Sequence, residues 1–287
     1  MEPEYILTAP EGPVRLDSEH LLVVEMGKAG TVSKVNLHSG KVERLVHTGR
    51  PNGLALDSKG TVWVAESGNP SILCYRPGGK AETVLTGMGD LPFLFPNDFA
   101  LDEANGFLYM TDSGILAADF CPDEKVREDY DTVRYDGRVF VINLKSMEIS
   151  AIDRELKFPN GIALGPDGML YVNETITGNV YRYEKDKLGK WGERHYFSNV
   201  IHDDGLKYYR GPDGMKFAES GNLYCTVYGQ GDVVVMEPSG KVIRSLPTRG
   251  KCPTNLIFID TKIYVTEIQN GTLDIIETGE RGLAQRS

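Results

Sequence analysis

Along this chain, short apolar runs open at a recurring motif and stop at a turn. Leu54-Ala55-Leu56-Asp57 leads to Lys59-Gly60, Ile162-Ala163-Leu164 to Asp167-Gly168, and Met215-Lys216-Phe217 to Ser220-Gly221. Such Asp-Gly and Ser-Gly steps are hairpin signals, because glycine takes the positive φ that a tight turn needs. The opening motifs are Glu11-Gly12-Pro13, Pro51-Asn52-Gly53, Pro96-Asn97-Asp98, Pro159-Asn160-Gly161, Pro212-Asp213-Gly214 and Pro253-Thr254-Asn255, six in all. A second strand then ends near an acidic residue about fourteen positions later, at Glu25, Glu66, Asp112, Glu174 and Glu267, with Thr226 near the equivalent place in the fifth repeat.

Third strands begin after a glycine in five repeats and after Pro70 in the other, as in Gly30-Thr31-Val32, Ser71-Ile72-Leu73 and Gly231-Asp232-Val233. Fourth runs such as Val42-Glu43-Arg44-Leu45-Val46 and Ala81-Glu82-Thr83-Val84-Leu85 are more polar and alternate, as outer edges do. Six repeats in 287 residues average just under 48 residues each. The pattern predicts an all-β chain, a six-bladed β-propeller of four-stranded antiparallel blades, in which radial packing buries the sheet faces. Residues 1–287 are read as a single domain, since no stretch offers a boundary. Tyr5-Ile6-Leu7 is expected to supply an outer strand beside Leu273-Asp274-Ile275-Ile276 and so cover an open edge.

Composition narrows the partners more than the fold. A 40 % hydrophobic content with 32 glycines, 15 prolines and 14 tyrosines describes a folded, turn-rich protein with a sizeable core. The 41 acidic against 31 basic residues give a net charge of −10, which repels phosphate backbones and anionic membrane surfaces. Neither nucleic acid nor a membrane is an expected partner. No apolar run is long enough to span a bilayer, and Met1-Glu2-Pro3-Glu4 lacks the basic-then-apolar order of a secretory signal, so a cytoplasmic location is expected. Cys74, Cys121, Cys225 and Cys252 show no CxxC spacing and read as reduced packing residues.

The first strand of each blade lines the central channel of a propeller, so the six motifs converge on one face although they are far apart in sequence. They supply the carboxylates Glu11 and Asp213 and the carboxamides Asn52, Asn97, Asn160 and Asn255, with no histidine or cysteine. An all-oxygen set suits a hard cation, since calcium accepts several oxygens in loose geometry, zinc favours His and Cys, and magnesium demands a tighter octahedron. One divalent cation is therefore expected on Glu11, Asn97, Asn160 and Asp213, calcium first, with zinc, magnesium and manganese as alternatives. Pro-Asn-Gly is also an ordinary turn sequence, and only its recurrence at equivalent positions lifts the set above that reading. Asn52 and Asn255 read as structural or supporting, and the acidic series as carboxylates that cap backbone N–H groups.

With Glu11-Gly12-Pro13, Pro96-Asn97-Asp98, Pro159-Asn160-Gly161, Gly211-Pro212-Asp213-Gly214-Met215 and Val227-Tyr228-Gly229-Gln230-Gly231, the chain resembles the SMP-30/gluconolactonase/LRE family of six-bladed propellers, which includes calcium-dependent lactonases. The resemblance extends over all six repeats. It implies metal ligands at Glu11, Asn160 and Asp213, with Asn97 as a fourth ligand or a substrate contact, and a general-base or nucleophile role for Asp213. Sugar-lactonase members carry an arginine where this chain has Phe95, which argues against an aldonolactone substrate. Phe93, Leu94, Phe95, Phe120 and Tyr228 suggest a less polar mouth, with Phe95, Asn97 and Tyr228 as substrate-binding residues.

The expected reaction opens a small-molecule lactone or ester, with metal stabilising charge on the carbonyl oxygen and Asp213 activating water or attacking directly. A serine hydrolase is disfavoured, because no Gly-x-Ser-x-Gly elbow occurs. His202, beside Asp203 and Asp204, is placed in a loop over the mouth as a gate or proton shuttle, with a plain surface loop as the simpler reading. The stretch from Ile115 to Asp136 is an oversized connection read as a lid, a second, structural calcium site, or a solvated acidic loop. Other classes stay open: a calcium-binding regulatory propeller without turnover, a related esterase or phosphotriesterase, and a propeller that condenses amines as strictosidine synthase relatives do. The chain fits a monomer or a small homo-oligomer.

Overall fold

A computed structural model describes residues 5–76 and 78–284. Their strands form six small antiparallel sheets, five of four strands and a last one of three, with a two-stranded ribbon of Gly87–Met88 and Leu91–Pro92 between the second and third. In each sheet the strands lie in sequence order from the inside outward. The inner strands are Pro10–Arg15, Pro51–Leu56, Pro96–Asp102, Pro159–Leu164, Gly211–Phe217 and Pro253–Ile259. Each packs beside the inner strands of both neighbouring blades, and the sixth packs beside the first. The molecule is a six-bladed β-propeller.

The core follows from the strand alternation. Apolar side chains on facing sheets form six separate inter-blade layers, for example Tyr171, Val180, Phe197, Met215 and Leu223 between blades four and five. Outer strands such as Val242–Pro247 are almost wholly exposed, as their polar alternation predicts.

Closure differs in detail from the sequence expectation. Residues 5–7 form no regular strand, and Leu7 N–H donates to the Gly271 carbonyl at 2.8 Å. The segment closes the ring mainly by packing: Tyr5 and Leu7 are buried with Leu21, Val23, Leu37 and Leu273 between blades six and one, and the Tyr5 hydroxyl donates to the Leu37 carbonyl at 2.8 Å.

All six inner strands carry the same irregularity. Their prolines sit opposite Glu25, Glu66, Asp112, Glu174, Val227 and Glu267, and immediately afterwards three inner-strand residues face two of the second strand. A bulge of this kind bends the strand and re-aims a side chain. This register makes Glu11, Asn52, Asn97, Asn160, Asp213 and Thr254 equivalent. It corrects two expectations: Val227, not Thr226, holds the acidic place in blade five, and Asn255 lies one residue deeper than the other motif residues.

Candidate functional site

The residue after each motif residue is glycine in blades one, two, four and five, and crowding explains why. A Cβ on Gly53 would stand 2.4 Å from the Asn97 carbonyl oxygen, and one on Gly161 2.2 Å from that of Asp213. In blades three and six the same position holds Asp98 and Asn255, whose side chains enter the channel. The Asn255 amide donates to Glu11 Oε1 at 3.2 Å and to Asp98 Oδ2 at 3.3 Å, and it fills the space that Gly214 leaves free. Asp98 therefore joins the site, where the sequence reading had left it as part of a turn motif. Comparing the residue that follows each motif residue would have exposed it, since four of the six are glycine.

Threonine hydroxyls fix the neighbouring motifs from behind. Thr111 Oγ1 donates to the Asn160 carbonyl at 2.5 Å, Thr175 Oγ1 to that of Pro212 at 2.8 Å, Thr226 Oγ1 to that of Thr254 at 2.7 Å, and Thr254 Oγ1 to that of Pro10 at 2.8 Å. The acidic series holds the approach to each motif. Glu25 accepts from Thr8 N–H, Glu66 from Arg50 N–H, Asp112 from Leu94 and Phe95 N–H, Glu174 from Lys157 N–H and Glu267 from Cys252 N–H. The capping role read from the sequence is what these carboxylates perform.

At the channel centre, Glu11, Asn97, Asp98, Asn160 and Asn255 are buried, and Asp213 keeps part of its surface open. Asn97 is oriented by its amide, which donates to Ser113 Oγ at 3.0 Å, while Ser113 donates in turn to the Pro159 carbonyl. That leaves Asn97 Oδ1 buried without a hydrogen-bond partner, and Asn160 Oδ1 is in the same condition. A buried carbonyl oxygen without a donor costs about 1–3 kcal/mol. Asn52 differs, since its amide turns to Met26 Sδ at 3.5 Å.

Burial, with the Asp98 charge second, pushes the Glu11 carboxyl up to about 8. Asp213 is also raised well above the usual carboxylate range, by burial first and then by the charges of Glu11 and Asp98. Crowded carboxylates and donor-less amide oxygens are the surroundings a cation would relieve. Among the described residues no three His, Cys, Asp or Glu side chains gather as a metal cluster. The candidate set is of another composition, two carboxylates and two carboxamide oxygens.

Aromatic rings surround the mouth. Phe95 meets Phe158 at 5.6 Å, Phe120 meets Phe158 at 4.3 Å and Tyr209 at 5.7 Å, and Tyr209 meets Tyr228 at 5.5 Å. The Tyr209 phenol is pushed up by burial and then by the Asp213 charge, and Tyr228 is raised by burial with Asp213 contributing. Tyr209 was not singled out from sequence. Phe93 is turned away, packed on Phe140 at 5.5 Å in the layer between blades two and three.

The connection from Ile115 to Asp136 folds over this cluster through a helical turn, Ala117–Phe120, and buries Ile115, Phe120 and Tyr135. Three of its carboxylates are paired with cations: Asp129 with Arg127, Asp131 with Lys207 and Asp136 with Arg138. His202 lies exposed with Nδ1 3.8 Å from Asp232. The opposite end of the channel widens into a cavity of about 430 Å³ between Val14, Phe99, Ile162, Phe217 and Phe258, with Lys216 on its wall.

The sequence profile of the SMP-30/Gluconolactonase/LRE-like region matches residues 82–269, and that of the NHL repeat matches residues 48–75. The chain belongs to the SMP-30/gluconolactonase/LRE family. It is 29 % identical over 181 residues to a strictosidine synthase-like 3 protein of Arabidopsis thaliana, covering 63 % of this chain and 43 % of that one. It is 28 % identical over 201 residues to a gluconolactonase of Zymomonas mobilis, covering 67 % and 52 %. The chain thus spans about half the length of these relatives. Its fold matches the crystal structure of a calcium-binding protein, regucalcin, from Agrobacterium tumefaciens, with a TM-score of 0.76, 18 % identity and coverage of 98 % and 93 %. No helix among the described residues is long and apolar enough to cross a membrane.

Proposed function

We propose that this member of the family is a divalent-metal-dependent hydrolase that opens a small lactone or related ester at the motif end of the channel. The observation that carries the reading is the pair of buried, donor-less amide oxygens of Asn97 and Asn160 beside the crowded carboxylates Glu11 and Asp213. Those four side chains would hold the cation, and their all-oxygen composition favours calcium over zinc. When bound, the cation supplies Lewis-acid stabilisation of negative charge on a carbonyl oxygen. Asp213, the partly open carboxylate of the set, takes the role of general base or nucleophile. Asn255 holds Glu11 and Asp98 in place through its amide. Tyr228 and Phe95 line the approach, which suits a less polar substrate than a sugar lactone.

The name of the Zymomonas relative supports hydrolysis, and that of the Agrobacterium structure supports calcium. The strictosidine synthase-like relative supports a second reading, condensation without hydrolysis. The donor-less oxygens favour the first, because a propeller that held no cation would bear their cost for nothing. A panel of sugar, aliphatic and aromatic lactones, offered to the chelated protein and again after adding calcium, magnesium, manganese or zinc, tests it. Metal-restored turnover that falls about 10³-fold in Asp213→Asn is expected. Turnover undiminished in that folded variant would overturn the role of Asp213, and no turnover with any metal would overturn the hydrolase.

A further inference from the structure

The residue before each inner-strand proline stands two positions ahead of the motif residue, towards the mouth end of its strand: Ala9, Arg50, Phe95, Phe158, Gly211 and Cys252. Arg50 alone among them is charged. Its backbone is fixed on both sides, N–H donating to Glu66 Oε1 at 2.6 Å and the carbonyl accepting from Ser67 N–H and Oγ at 2.9 Å. Its side chain is not so engaged. Among the described residues Nε is buried with no hydrogen-bond partner, and the guanidinium makes no ion pair.

The Glu66 carboxylate beside it spends Oε1 on the N–H groups of Arg50 and Gly68, while Oε2 is buried and likewise unpartnered. The guanidinium therefore does not serve Glu66. Burial pushes the Cys121 thiol up and the Arg50 charge offsets part of that rise, and Cys121 packs in the mouth cluster with Phe95, Phe120, Phe158 and Tyr209. A planar fork of donors held without a partner at the edge of an otherwise aromatic mouth is a recognition element for a planar oxyanion.

We propose that Arg50 binds a carboxylate on the substrate, which makes the substrate class a lactone or ester that carries a carboxylate on an apolar body. The body lies against Tyr209 and Tyr228, whose surfaces remain partly open. A carboxylate is favoured over a phosphate because a single cation faces it, close to three channel carboxylates, in a chain of net charge −10. The inference rests on the hydrolase reading and names its specificity.

The test pairs 5-oxotetrahydrofuran-2-carboxylate with its methyl ester as substrates of the calcium-loaded protein, Arg50→Met, Arg50→Gln and Arg50→Lys. The wild type is expected to prefer the carboxylate at least about tenfold in kcat/KM. In Arg50→Met and Arg50→Gln that ratio falls to near one through KM, and in Arg50→Lys it is partly kept. A wild type without the preference, or variants that lose both substrates equally, would overturn the proposal and leave Arg50 a structural charge.

Should the wild type turn over neither compound with any metal, the hydrolase reading fails first, and calorimetry decides this one. Tetrahydrofuran-2-carboxylate is expected to bind the wild type more tightly than the matching carboxamide, and to lose at least about tenfold in Arg50→Met or Arg50→Gln. Equal binding of acid and amide, or no binding of either, would overturn the proposal.

Discussion

Asn97 and Asn160 each leave an oxygen in the channel that nothing in the chain satisfies, which is an energetic liability retained at the site of proposed function. Removing it should help the empty protein and harm the loaded one. Asn160→Ala is expected to melt no lower than the wild type in chelator, within about 1 kcal/mol, yet to lose at least about tenfold in calcium affinity by calorimetry. A clear loss of stability in chelator with calcium affinity intact would make Asn160 a packing residue.

Glu11 gives a signed pH dependence. Its folded carboxyl titrates near 8 against an ordinary 4.5, so the fold favours the protonated form. That stabilisation is complete below the ordinary value and is lost as pH rises through about 8, at up to about 1.4 kcal/mol per pH unit; Asp213 acts in the same direction. Melting temperature in chelator should therefore fall from pH 5 to pH 8, and saturating calcium should flatten the slope. A melting temperature in chelator that rises over that range would contradict the placement of these carboxylates. At this scale the sequence revealed the residue types but not their surroundings. Asp98 was hidden because it stands where four of the other motifs carry glycine, and Asn255, read as structural or supporting, lies one residue deeper than the register equivalent of Asn97.

The strand pattern was the most legible element, because turn glycines and apolar runs recur in all six repeats. The bulge at each motif was not, since two-versus-three pairing depends on the partner strand. The acidic series shows how an element is held. Glu267 accepts from Cys252, Gln269 and Asn270 N–H and joins the turn after its own strand to the approach of the sixth motif. Glu267→Ala should strip buried donors and cost about 3 kcal/mol in urea unfolding. A loss under about 0.5 kcal/mol would show that these N–H groups find other partners.

Blade five has Val227 at that register place, so no such carboxylate ties down the approach from Ile201 to Arg210. That segment is held instead by Lys207 to Asp131 at 2.7 Å and by the Tyr209 rings. Amides of residues 203–208 should exchange far faster than those of the equivalent approach at Cys252, as measured by hydrogen exchange.

The whole molecule is a ring whose sixth blade finds its place through the first, by the Thr254 hydroxyl on Pro10, by Leu7 on Gly271 and by Tyr5 in the layer between them. The number of blades was readable from the repeat alone, whereas closure by packing rather than by a regular fourth strand was not, because Tyr5-Ile6-Leu7 alternates like a strand in either case. The ring is also what turns six dispersed motifs into one constellation. Under the proposed function, its defining consequence would be that Glu11, Asn97, Asn160 and Asp213, from blades one, three, four and five, share a single cation. Anomalous diffraction from crystals soaked in manganese tests this most directly. The account predicts one strong peak bonded to the side-chain oxygens of these four residues; a protein that binds the metal elsewhere, or leaves Asn97 and Asn160 unligated, would contradict it.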